Sequence, residues 1–265
     1  MKTLIVPISG GKDSQAVLRL AIETRGREGL RVVHQSTGYD HPKTYDHLAY
    51  MERRYEVKIE FTQSERFKDI FDFIEKDKHF PHGQKRSCTR ALKQLPFKAW
   101  LRAEGLLDAH ILMGMRAAES SSRAARYGAK TDDEEFRLGD LAKVYDVRYL
   151  DKVTLSLPIV HWSTKQVFAY LKSFGDELNP LYEQGFDRVG CFPCLLGKNK
   201  DWELAAQDAV GVENISRLLA LEEFLQSNNP TKSLKIHPTR DIRGLLASGK
   251  ALTAKDNEAC GWCSI

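Results

Sequence analysis

The stretch PISGGKDS, Pro7 to Ser14, decides how this chain is read. It follows the apolar run TLIVPI, residues 3–8, which suits a buried parallel strand. Beyond Ser14, Val17, Leu20 and Ala21 fall on one face of a helical pattern. Two glycines between a strand and a helix can serve as a turn, with Ser9 or Ser14 as N-cap. The same position can cradle a phosphate. Glycines let backbone amides approach a ligand closely, and a helix start adds unpaired N–H groups and a positive dipole end. Lys12 supplies a point charge, and Ser9 and Ser14 supply hydroxyls. The whole string in this context predicts the cradle. It is not a Walker A loop, because G-x-x-x-x-G-K-[ST] is absent.

Outward from this loop, strand-like and helix-like segments alternate. Further strands are predicted at about 31–37, in EVKIEF (Val57, Ile59, Phe61), at His110–Met115 and at Val153–Val160. Between them lie helical patterns at Phe67, Ile70, Phe71 and Ile74, at 91–104, and after Ser163, read as a cap. The pattern predicts an α/β fold with a doubly wound, mostly parallel five-stranded sheet. Ligands of such sheets sit at the carboxyl ends of the strands. The informative loops are therefore 9–14, 36–44, 114–130 and 161–163. From about Asn179 the pattern changes to loops, cysteines and a helix near 212–226. The expected division is a nucleotide-binding domain over 1–178 and a small helical, cysteine-bearing appendage over 179–265.

The 265 residues are 42% hydrophobic and 29% charged, ordinary for a globular chain. A net charge of +4 permits an anionic substrate but falls short of a nucleic-acid footprint. No apolar run reaches the roughly 18 residues of a membrane span, and the first residues do not read as a signal peptide. A cytoplasmic protein with no membrane partner is expected, and in a reducing compartment structural disulfides are not.

Arg116, Arg123, Arg126 and Lys130 cluster after the predicted fourth strand. Such a cluster is either a solvated basic face or, on the same sheet edge as the glycine loop, a set of forks for phosphate or sulfate. Glu119 could orient Arg116 or Arg123. The five cysteines are Cys88, Cys191, Cys194, Cys260 and Cys263, with Cys191-x-x-Cys194 and Cys260-x-x-Cys263 as pairs. Thiolates at such spacing suit zinc or an iron–sulfur cluster. For Cys88 alone, a buried small hydrophobe is the alternative.

SGGKDS resembles the PP-loop of the N-type ATP pyrophosphatases. STGYDHPKTYDHL resembles the D-T-G-x-x-x-P-E-T-Y segment of the phosphoadenosine phosphosulfate reductase family, with Ser36 for aspartate and Lys43 for glutamate. GMRAAESSSRA matches that family's G-x-R-x-x-E-S-x-x-R at Gly114, Arg116, Glu119, Ser120 and Arg123, and LPIVHWSTKQVFAYL resembles its P-[IL]-x-x-W-[ST] segment. The resemblance spans residues 4–200. It implies an adenine nucleotide alpha hydrolase-like fold. It implies ATP with Mg²⁺ at Ser9, Gly10, Gly11, Lys12, Asp13, Ser14, Thr37, Gly38, Gly114, Arg116 and Arg123. RSCTRALKQLP and RVGCFPC resemble the cluster-binding segments of iron–sulfur members, closest to the DNA phosphorothioation type with its single cysteine at the first site. This implies a 4Fe-4S cluster, ahead of zinc, on Cys88, Cys191, Cys194 and one tail cysteine, Cys263 or Cys260.

Two activities follow from the resemblance. One is ATP-dependent sulfur transfer, with Lys12 and Asp13 catalytic, an acceptor that could be a nucleic acid or a small molecule, and a cysteine desulfurase or another sulfur donor. The other is a sulfonucleotide reductase with Cys260 as nucleophile. The reductases have generally lost the Lys-Asp pair that is intact here, which favours ATP cleavage. A nucleotide-binding subunit similar to the small subunit of ATP sulfurylase would share SGGKDS, but its family lacks the CxxC segments.

Overall fold

The structure, a computed structural model, describes residues 2–82, 86–138, 150–229, 234–236 and 241–248. Leu4–Ile8 forms β1, buried at every position because both faces of the sheet are covered. Leu4, Val6 and Ile8 turn to a layer with Val17 and Leu18 of helix α1 (Lys12–Arg25) and Leu48 and Met51 of α2 (Pro42–Tyr55). Ile5 turns to the opposite layer, with Phe97 and Leu101 of α5 (Leu95–Ala103). This is the period-2 alternation of a strand acting on two cores. Strand β2 (Leu30–Gln35) and β3 (Ile59–Thr62) extend the sheet on one side of β1. On the other side stand β4 (His110–Leu112) and β6 (Thr154–Ser156), with β5 (Phe136–Arg137) at the edge.

The order is β3-β2-β1-β4-β6-β5. The five parallel strands are those the alternation predicts. The sixth, β5, pairs antiparallel with β6 through Phe136 and Arg137, and two residues are too short to carry a periodic signal. β1 and β4 run parallel, but the order of strand addition reverses between them, so the loops after these two strands diverge around a crevice, the expected place for a ligand.

Helix α3 (Ile70–Asp77) and the short α4 (Ser87–Thr89) follow β3, and α4 runs through a π-turn (Arg90–Gln94) into α5. Helix α6 (Ser121–Tyr127) follows β4. Helix α7 (Thr164–Ser173) opens with Ser163, whose hydroxyl accepts the Gln166 amide while the Gln166 side chain returns to the Ser163 amide, a capping box. Beyond Asn179 come α8 (Asn199–Ala205), α9 (Ala209–Asn228) and α10 (Ile242–Ser248). Helix α9 starts before the expected 212 because the Asp208 carboxylate caps the amides of Val210 and Gly211. A third core joins Phe71 and Ile74 of α3 to Phe186, Trp202, Ile215 and Leu218, so residues on both sides of 178 share one apolar cluster. Among the described residues no helix is long and apolar enough to cross a membrane.

Two buried polar groups fix α1 in place. Asp176, its side chain fully buried, accepts from Arg19 Nε at 2.9 Å, from Arg19 NH2, and from Arg54 Nε at 2.9 Å. It thereby ties α1 and α2 to the turn after α7. Removing one partner of such an array leaves buried charge uncompensated. Asp176→Ala is expected to lower unfolding free energy by about 3–5 kcal/mol, measured as a fall in urea midpoint at unchanged m-value.

Gln15 donates to Tyr55 Oη at 3.0 Å and to the Glu177 carbonyl at 2.8 Å, which leaves its Oε1 to accept from His47 Nε2 at 3.0 Å. Burial pushes the His47 imidazole down to about 4. The unfolded chain, with its ordinary value near 6.5, takes up the proton first as pH falls. The contribution of neutral His47 is therefore complete above pH ~6.5 and is lost progressively down to pH ~4, about 3 kcal/mol in all. His47→Gln should flatten the stability curve between those limits in a denaturant titration at stepped pH.

Candidate functional site

The glycine loop sits at the carboxyl end of β1 in the crevice. Gly10 has φ 72°, and a Cβ there would stand 2.7 Å from Thr44 Cγ2, so only glycine makes this turn beside α2. Of the caps weighed above, neither Ser9 nor Ser14 holds the helix start: Gly11 is the N-cap residue and no side chain caps it. Ser14 instead locks the loop from within, its hydroxyl accepting the Ser9 amide at 3.1 Å and donating to the Gly11 carbonyl at 3.0 Å. The first turn of α1 thus keeps the open amides that an anion site needs. The Lys12 amide is engaged from outside the loop, donating to Tyr182 Oη at 2.9 Å.

Lys12 and Arg116 are 3% and 2% exposed, and the Asp13 carboxylate lies between them. Lys12 Nζ reaches Asp13 Oδ2 at 3.2 Å and the Asp187 carbonyl at 3.2 Å, and it stands over the rings of Phe168 and Tyr182. Burial lowers the Lys12 ammonium from its ordinary value, and the charge of Asp13 opposes that shift. Arg116 donates from Nε to Asp13 Oδ1 at 2.6 Å, from NH1 to the Trp162 carbonyl at 3.1 Å and from NH2 to Thr164 Oγ1 at 3.2 Å. It reaches the loop through Asp13 and binds the ends of β4, β1 and the start of α7 into one unit. Gly114 permits this approach, for a Cβ there would lie 2.8 Å from the Asp13 carbonyl carbon and 2.9 Å from the Ser14 amide.

Arg123 is buried and ion-paired with Glu119, which lines the glycine-loop pocket beside Ser9, Lys12, Asp13, Tyr182 and Arg188. Of the two partners weighed for Glu119, the structure selects Arg123. Arg126 is exposed, and Lys130 pairs with Glu134. Thr37 and Gly38 lie elsewhere than the glycine-loop pocket. Gly38 has φ 62° and packs its α-carbon against Lys68 and Asp69. Thr37 Oγ1 donates to Asp40 Oδ2 at 3.0 Å and stands 3.5 Å from Cys191 Sγ.

Thr37 opens onto a second pocket that gathers Cys88, Cys191 and Cys194 with Tyr39, Ile70, Leu92 and Lys93. Cys88 comes from α4 and the pair from the loop before α8. The loop is fastened to the β2 side by an antiparallel bridge between Asp40 and Cys191 and by the Phe192 amide on the Tyr39 carbonyl at 2.8 Å. The hydroxyl of Tyr39 is buried, with no hydrogen-bond partner among the described residues. Burial raises that phenol well above its ordinary value, with the neighbouring Cys191 and Cys194 adding to the shift. Three thiols, apolar walls and an unused donor fit a sulfur-rich inorganic group. Among the described residues no three His, Cys, Asp or Glu side chains are gathered to hold a single metal ion. Cys260 and Cys263 lie outside the described residues.

The two pockets are one short stretch apart. Tyr182 covers the Lys12 amide, the Asp187 carbonyl takes the Lys12 ammonium, Arg188 and Val189 line the glycine-loop pocket, and Cys191 lines the other. Asn179 anchors this run, its Nδ2 donating to the Gly10 carbonyl at 3.2 Å. Asn179, Tyr182, Arg188 and Tyr39 escape a reading of the sequence. Each meets the loop or the cysteines across a long separation, 170 residues for Lys12 and Tyr182, and no spacing rule reports such a contact.

A doubly wound, mostly parallel sheet carries a glycine loop at its switch point, where proteins of this architecture bind ligands. The phosphoadenosine phosphosulfate reductase domain matches residues 3–196, and the chain belongs to that family. An uncharacterized protein of Methanocaldococcus jannaschii is 32% identical over 73% of this chain, which spans only 36% of that relative's length. A phosphoadenosine 5'-phosphosulfate reductase of Erwinia tasmaniensis is 24% identical over 66% of this chain and 65% of its own. The crystal structure of phosphoadenylyl-sulfate reductase from Candida auris shares the fold, with a TM-score of 0.51 and 16% identity over 72% of this chain and 82% of that one.

Gly114→Ala places a methyl group against the main chain of Asp13 and Ser14. We expect it to cost about 1–3 kcal/mol of stability and to weaken adenine-nucleotide binding, read by thermal unfolding and calorimetric titration.

Proposed function

We propose that this chain is an ATP pyrophosphatase that activates an acceptor by adenylation and installs sulfur in it. The observation that carries the reading is the intact Lys12–Asp13 pair, held by Arg116 and joined to the cysteine pocket by residues 187–191. ATP would lay its phosphates on the open amides of α1. An acceptor oxygen attacks the α-phosphorus, the bond from that phosphorus to the α–β bridging oxygen breaks, and pyrophosphate leaves. Lys12 and the loop amides stabilise the charge that develops on the leaving group. Asp13, oriented by Arg116, would take Mg²⁺ as that pairing opens. A sulfur nucleophile then forms its bond at the activated carbon, and AMP departs with the acceptor oxygen.

Cys88, Cys191 and Cys194 would hold a 4Fe-4S cluster with one cysteine of the tail, and Tyr39 Oη would donate to one of its sulfurs. Such a cluster would be held by four cysteine thiolates. Bound there, the cluster would carry or activate the sulfur to be transferred. Cys260 remains the proposed thiol for sulfur delivery.

Anaerobically purified protein given labelled ATP and candidate acceptors is expected to release AMP and pyrophosphate, and Lys12→Ala should lower that rate at least a hundredfold by losing charge stabilisation. Sulfite release from phosphoadenosine phosphosulfate without ATP cleavage would reverse the assignment in favour of the reductase.

A further inference from the structure

Lys12 offers two donors at the glycine loop, and residues after Asn179 hold both. Its amide, the first of α1, donates to Tyr182 Oη at 2.9 Å, and its ammonium donates to the Asp187 carbonyl at 3.2 Å. The phenol oxygen sits on the open side of the loop: a Cβ at Gly11 would meet it at 3.1 Å, with Ser9 Oγ at 3.3 Å. The Tyr182 ring lies against Phe168, centroids 5.6 Å apart, and Lys12 Nζ stands 5.2 Å from its centroid. Burial raises the phenol above its ordinary value and the charge of Asp13 adds to the shift, so the hydroxyl stays neutral. It accepts the amide through a lone pair. What remains of the glycine-loop pocket is about 20 Å³. That is room for a water or two, and a phosphate group with its oxygens needs more.

The amide and the ammonium are the donors that an anion at this helix start would use. Each is held by a neutral oxygen. A phosphate oxygen bonds an amide about twice as strongly as a neutral acceptor does, and with the ammonium it forms an ion pair. The exchange therefore runs toward the anion, and it leaves both donors where they are. We propose that Tyr182 Oη and the Asp187 carbonyl stand in for phosphate on Lys12, and that the phosphates of a nucleotide displace them and so loosen the segment that leads to Cys191. This rests on the nucleotide reading of the loop and adds a signal to it. Asn179 keeps the start of the segment on the Gly10 carbonyl, so the slack falls between Tyr182 and Asp187. The amides of Gly185 and Phe186 report it, because they bond back to the carbonyls of Tyr182 and Leu181 at 3.1 and 3.2 Å.

The test titrates pyrophosphate, a non-hydrolysable ATP analogue and adenosine calorimetrically into the wild type and Tyr182→Phe. The variant keeps the ring and loses the acceptor. It is expected to bind pyrophosphate and the analogue about three- to tenfold more tightly, the worth of one neutral hydrogen bond, with its affinity for adenosine unchanged. In the wild type, which needs no substitution, the analogue should speed hydrogen exchange at Gly185 and Phe186 by about threefold or more, while exchange along β1 stays as it was. Adenosine should not. Pyrophosphate affinity that is unchanged in Tyr182→Phe overturns the proposal. So does a loss of that affinity, which would make the hydroxyl a ligand of the phosphate, and so does exchange at Gly185 and Phe186 that ignores the analogue. These outcomes are separable from the catalytic reading. ATP cleavage accompanied by any of them sinks the stand-in alone, whereas failure of both proteins to bind pyrophosphate and the analogue sinks the nucleotide reading with it.

Discussion

One carboxylate organises this molecule. Asp13 is the first acidic residue of α1, and it is shared between two cations that burial would otherwise make costly, Lys12 and Arg116. Neither cation is stable there without it, because a buried unpaired charge costs several kcal/mol. The sharing ties the glycine loop, the loop after β4 and the start of α7 together. An anion entering the cradle therefore meets amides and an ammonium already in place, and little reorganisation is left to oppose binding.

The residues after Asn179 are part of this arrangement. Asn179 reaches the Gly10 carbonyl, Tyr182 takes the Lys12 amide, and the aromatic residues that follow share a core with α3. The cysteine loop is thereby docked on the β2 side of the sheet, beside the place where the nucleotide would lie. The apolar cluster of Phe71, Phe186, Trp202 and Ile215 supplies the rigidity, and the short run from Asp187 to Cys191 inherits it.

The sequence made legible what is local. The turn at Gly10, the loop closed by Ser14, the five parallel strands and the Ser163 cap all depend on neighbours within a few positions, and their residue types announce them. The arginine loop is legible as charge, as a family motif and as a pairing of Glu119 with one of two arginines, but not in the partners of Arg116. The structure shows Arg116 committed to Asp13, Trp162 and Thr164, a role set by contacts as far as 103 residues away. The resemblance assigns Thr37 to the nucleotide, and the bridge between Asp40 and Cys191, which no spacing in the sequence announces, brings it beside the cysteines as well. The two-residue β5 and the Tyr39 hydroxyl, unpaired among the described residues, leave no pattern, since they arise from packing alone.

The bond from Lys12 Nζ to the carbonyl of Asp187 has a consequence for how this family diverges. A main-chain acceptor is present whatever side chain occupies position 187. Substitution there can alter charge at the surface while the grip on Lys12 persists, so drift at this position carries no functional record. At position 187 the ammonium is held by the path of the chain, whereas Asn179 and Tyr182 of the same segment act through their side chains. An insertion or deletion between Asn179 and Cys191 would shift that carbonyl away from Lys12, so the length of the segment matters beside its composition.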